Sequence, residues 1–78
     1  MKYVILDEFM PVLFSSAILH SRMNNLDDNC RVTSAGFVKV VRTSEGFEVT
    51  CYGESQSLGL GPGPNDADLI RQLLETVT

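Results

Sequence analysis

The chain is poor in the residues that most metal proteins and many enzymes need. Among its 78 residues there is one histidine, His20, and there are two cysteines, Cys30 and Cys51. Neither a C-x-x-C nor an H-x-x-x-H spacing occurs, so the sequence carries no zinc or redox motif and implies no cofactor. Basic residues are scarce as well: six Lys and Arg stand against ten Asp and Glu, for a formal net charge of −4. Nucleic-acid binding draws on a basic stripe that releases counterions from phosphates. Here the six are scattered, and only Arg31, Lys39 and Arg42 fall close enough to gather on one sheet surface. No nucleic-acid partner is expected. Long apolar runs are also missing. The stretch from Phe9 to Phe14 follows Asp7-Glu8 and contains Pro11, which does not suit a secretory core segment. Nothing approaches the ~18 residues of a membrane span. The expected location is the cytoplasm, with no membrane partner.

What is present is an ordinary globular composition, 44% hydrophobic and 21% charged, in one domain spanning 1–78. Domains of this size bury only about 60% of the surface of the unfolded chain. They usually gain margin from a disulfide, a metal or oligomerisation. Cys30 and Cys51 both fall in expected strands. They read as small free core residues, although a disulfide stays open if their Cα atoms approach within about 7 Å.

Residue pattern divides the chain into strands and one helix. Tyr3–Leu6 and Pro11–Phe14 predict two strands of a hairpin, with Pro11 at a position that needs no N–H. Residues 15–29 predict a turn or two of helix and then a polar loop. Ser15 or Ser16 could serve as its cap, and Leu19, Met23 and Leu26 share a face. Cys30 to Thr43 predicts a long strand, or two strands bent at Ala35-Gly36, where the glycine marks a bulge or a close backbone approach. Thr43-Ser44-Glu45-Gly46 is a reversal, and Phe47–Tyr52 returns as an alternating strand. Ser55–Leu58 predicts a short edge strand. Glycines and prolines then lead into a C-terminal helix with Leu69, Ile70, Leu73, Leu74 and Val77 in one stripe. The expected fold class is α+β: a small, mostly antiparallel sheet of about four strands with the helix across one face.

The candidate chemical motifs are incomplete. Gly53-Glu54-Ser55-Gln56-Ser57 has serine where a nucleophile elbow ends in glycine, and no histidine follows it. Ser55 and Ser57 read instead as groups that satisfy a turn. Asp27-Asp28-Asn29 lacks the spacing and distal glutamate of a calcium loop. Gly59, Gly61 and Gly63 precede a helix, but no lysine follows, and Pro62 and Pro64 remove donors. Asp7 and Glu8 are adjacent and read as turn acids rather than a catalytic pair.

Apolar side chains on both faces of the central strand carry the functional reading. Phe37 and Val41 point one way, Val38 and Val40 the other. A single helix covers one face. The other needs a partner chain or residues 15–29 folded back over it. A symmetric dimer is the commonest partner. The sequence therefore predicts a non-catalytic protein-interaction or assembly module, not an enzyme, self-associating as a homodimer with Phe37, Val38, Val40 and Val41 as candidate interface residues. The rival is a small-ligand binder or minor enzyme built on His20, Cys30 or Cys51, and Ser55, with His20 and Ser55 as its polar site.

Overall fold

Strands β1 (Lys2–Leu6), β2 (Met10–Phe14), β3 (Val32–Thr43) and β4 (Gly46–Tyr52) form one antiparallel sheet in the order β2-β1-β3-β4. Helix α1 (Asp66–Val77) follows them. The computed structural model describes residues 1–25 and 29–77. This is the α+β architecture expected from the pattern of residues.

The β1–β2 reversal is acidic and conformationally unusual. Asp7 and Glu8 both hold positive φ, 51° and 69°, a region that costs side-chain-bearing residues roughly 1–2 kcal/mol each. Hydrogen bonds to the start of β3 hold them there. Asp7 N–H donates to Arg31 O at 2.8 Å, Arg31 N–H to Asp7 Oδ1 at 3.0 Å, and Glu8 N–H to Thr33 Oγ1 at 2.9 Å. Thr33 is itself an inserted residue: Ile5 pairs with Ser34 and Leu6 with Val32. The bulge turns Val32 onto the same face as Ala35. Gly36 marks a close approach, not a bulge, since a Cβ there would lie 3.0 Å from Tyr52 O and 3.3 Å from Pro62 Cγ.

Alternation along β1 buries side chains on both faces. Tyr3 and Ile5 meet Val38 and Ile70 beneath α1, joined by Leu13, Val40, Val49, Cys51, Leu69 and Leu74. Val4 and Leu6 meet Val32 and Ala35 on the opposite face. Each fully buried aliphatic side chain contributes about 1.5–3 kcal/mol of transfer free energy. The second face is closed by the chain itself. Met23, from the 3-10 helix His20–Asn25, packs there with Leu58 and Leu60. Residues 15–25 thus fold back over the sheet in the half built from β1, β2 and the start of β3. Leu26 and the Asp27-Asp28 part of the acidic turn lie outside the described residues. Ser55–Leu58 is not a strand: Ser55 and Leu60 form an isolated bridge around a turn, because Gly59 takes φ 67° and reverses the chain.

The strands are staggered. Strand β3 meets β1 through Val32–Phe37 and β4 through Phe37–Thr43. The β3–β4 hairpin therefore runs past the ends of β1 and β2, and the molecule measures 37 × 23 × 22 Å. Helix α1 follows the hairpin to its tip, where Glu75 Oε1 lies 3.8 Å from the Cβ position of Gly46.

Candidate functional site

His20 opens the 3-10 helix of the segment that covers the second face, and it is 4% exposed. Its Nε2 lies 2.8 Å from Gly36 O. A carbonyl only accepts, so Nε2 carries the hydrogen of this bond. The ring meets Phe14 and Phe37 edge-on, with centroids 5.5 and 5.6 Å away. This histidine pins the covering segment to the sheet.

Beside it opens a cleft of about 390 Å³ lined by Lys2, Leu19, His20, Phe37, Glu54, Gln56 and Ser57. Lys2 Nζ donates to Ile18 O at 2.9 Å and stands 5.9 Å from the Phe37 ring centre. The neighbours of Ser55 line this cleft, whereas Ser55 is buried. Its Oγ accepts from Leu58 N–H at 3.3 Å and lies 3.4 Å from Ser57 Oγ. The serine hydroxyl is spent on its own turn, and the histidine nitrogen on a backbone carbonyl. The structure brings His20 and the 54–57 turn together without joining His20 to Ser55.

The two cysteines stand on opposite faces. Cys51 packs in the cluster beneath α1 and Cys30 in the one opposite. Neither forms a disulfide, and the sheet between them keeps the two apart in this fold. Burial pushes the Cys51 thiol above its ordinary pKa, which disfavours the nucleophilic thiolate. Among the described residues no three of His, Cys, Asp and Glu gather closely enough to hold a metal ion.

A polar network that sequence reasoning missed lies under the start of α1. Asp66 is 3% exposed. It accepts from Tyr3 Oη at 2.6 Å, from Gly63 N–H at 2.7 Å and from Ser34 Oγ at 2.9 Å. Burial, reinforced by the Asp66 carboxylate, raises the Tyr3 phenol well above its ordinary pKa. As a first-turn acid Asp66 also suits the helix dipole; its spacing from Gly63, three residues on, is the sequence signal for a carboxylate turning back on its own helix start. The network ties helix to sheet and is largely buried, with Ser34, Gly63 and Asp66 at the edge of a cleft of about 420 Å³.

The surface candidates separate by face. Val38 is 2% exposed beneath α1, and Val40 packs beside it. The helix thus occupies the face that two of the four candidate interface residues use. Phe37 is half-buried against His20 and stacks with Tyr52, ring centres 5.8 Å apart. Val41 remains 41% exposed. Arg31, Lys39 and Arg42 do not gather. Arg31 lines a separate cleft with Asp7 and Glu8, while Lys39 and Arg42 point to opposite sides of the hairpin. No helix among the described residues is long and apolar enough to cross a membrane.

Comparison with family models, characterised proteins and solved structures finds no match to this chain. The functional reading therefore rests on the geometry alone.

Proposed function

We propose that the protein is a non-catalytic interaction module of the cytoplasm that self-associates through the open side of its β3–β4 hairpin. The observation that carries this reading is strand β4. It is seven residues long, Gly46–Tyr52, and ends the strand order, with no strand beyond it among the described residues. Unpaired strand edges are templates for another strand, and proteins usually blunt them with short length, proline or lysine. The opposite edge strand, β2, is five residues long and carries Pro11. Strand β4 has neither proline nor lysine and consists largely of strand-forming residues. The buried serine and the tied histidine support a role without catalysis.

Light scattering over a dilution series from about 1 μM to about 1 mM, the span of ordinary weak association, tests the proposal. The expected mass at high concentration is twice the 8.6 kDa of the chain. A mass that stays at one chain throughout refutes it. The mixed lining of the His20 cleft favours a second reading, a small-ligand site. Ligand-induced NMR shifts confined to Lys2, His20, Phe37 and Gln56 in a fragment screen would support it.

A further inference from the structure

Backbone alternation identifies which groups the open edge offers. Val38 N–H donates to Met1 O, on the β1 side of β3. Backbone groups of successive strand residues point to alternate sides, so Lys39 and Val41 turn theirs toward β4. Their register partners, Thr50 and Glu48, return those bonds. Phe47, Val49 and Cys51 must then direct both N–H and C=O away from the sheet. Among the described residues, none of these three makes a backbone hydrogen bond outside the ladder.

Resting on the self-association reading above, we propose that two copies join β4 to β4, antiparallel, about a two-fold axis passing through Val49. In this register Val49 pairs with Val49 of the second copy, and Phe47 with its Cys51. Every outward backbone group of the three residues then finds a partner. On the helix side the facing residues are all apolar. On the other side Glu48 faces Thr50, so no like charges meet. Neighbouring registers are worse. Centring on Glu48 sets that carboxylate against its own copy. Centring on Thr50 sets Phe47 against Gly53, whose φ of 68° has already left the strand. The occupant is a second copy because the edge complements itself, and because the hairpin is electrically neutral. Lys39 and Arg42 cancel Glu45 and Glu48, so the net −4 resides elsewhere in the chain.

A charge exchange tests the register. Thr50 is exposed and lies opposite Lys39 within its own chain. Thr50→Glu therefore places a carboxylate beside a lysine in the monomer but against Glu48 in the dimer, twice by symmetry. The dimer dissociation constant should rise roughly twofold to thirtyfold, from the usual strength of directly opposed pairs. Adding Glu48→Lys converts both repulsions into attractions and should restore the dimer. Circular dichroism verifies that each variant is folded. If Thr50→Glu fails to fold, Thr50→Lys serves instead: it opposes Glu48 of the second copy and should tighten the dimer. An unchanged dissociation constant, or no recovery in the double variant, overturns the register while leaving self-association intact. A wild-type chain that stays monomeric at all concentrations overturns both.

Discussion

Tyr3→Phe isolates the link that holds α1 to the sheet. The substitution removes one oxygen and keeps the ring, which is fully buried. It deletes the 2.6 Å hydrogen bond to Asp66 and leaves the carboxylate with its Ser34 and Gly63 donors. A hydrogen bond to a charged group contributes about 1.5–3 kcal/mol, a sizeable share of the about 5–15 kcal/mol typical of a domain. Urea unfolding at pH 7, followed by circular dichroism because the chain has no tryptophan, should show that loss with an unchanged slope. The same residue predicts an alkaline signature. Its phenol is raised above the ordinary 10.0 by burial first and by Asp66 second. Below pH 10 both folded and unfolded chains keep the proton, and the contribution is complete. Above pH 10 the unfolded chain releases it while the folded chain does not, so stability falls, by about 1.4 kcal/mol at pH 11. Phenylalanine cannot ionise. The gap between wild type and variant should therefore narrow by that amount between pH 7 and pH 11. A gap of equal size at both pH values, or no loss at pH 7, would refute the role given to this pair.

Two other perturbations address the second face. Gly53 and Gly59 hold nearly the same positive φ, 68° and 67°, but a Cβ at Gly53 would meet Phe37 Cδ2 at 2.8 Å while one at Gly59 meets nothing within 4 Å. Gly59→Ala should cost about 1 kcal/mol from backbone strain alone, and Gly53→Ala about 1–3 kcal/mol more from overpacking; equal losses in chemical denaturation would contradict the placement of Phe37. His20→Ala removes the bond to Gly36 and two edge-on ring contacts, for about 2–4 kcal/mol. Hydrogen exchange should quicken first at the amides of Ile18 and Arg22, which close the turns of the covering segment, and a uniform acceleration across all four strands would show that His20 does not pin it separately.

Much of the framework was legible because its signals were local. The β1–β2 hairpin and the Ser44-Glu45 reversal follow from strand-forming runs separated by turn residues, and the last helix from its apolar stripe. Two features depended on distant partners and could not be read. The bulge falls at Thr33 because its hydroxyl accepts from Glu8 N–H and donates to Ile5 O, residues more than twenty positions away. A glycine in a strand signals either a bulge or a close approach, and only the neighbours decide that Gly36 serves the second. Asp66 was read one element at a time. As a first-turn acid it fits the helix dipole, and nothing in its own segment announces that Tyr3 and Ser34 converge on it.

The surface open to association likewise depends on distant partners. Counting apolar residues on each face gave a correct alternation, with Val38 and Val40 on one side and Phe37 and Val41 on the other. One helix covers one face, and of the two covers open to the other, a partner chain or residues 15–29, the chain supplies its own. A 3-10 helix held by one histidine and a turn contributing Leu58 and Leu60 close the second face over the paired half of the sheet, so apolar area no longer demands a partner there. Among the described residues no strand lies beyond β4. Its place at the end of the strand order leaves β4 with a row of outward backbone groups at Phe47, Val49 and Cys51, each of which needs a hydrogen bond from water or from protein. Side-chain hydrophobicity, the quantity a sequence displays most openly, does not report that need. Backbone hydrogen bonding does, and it becomes visible only once the strand order is known.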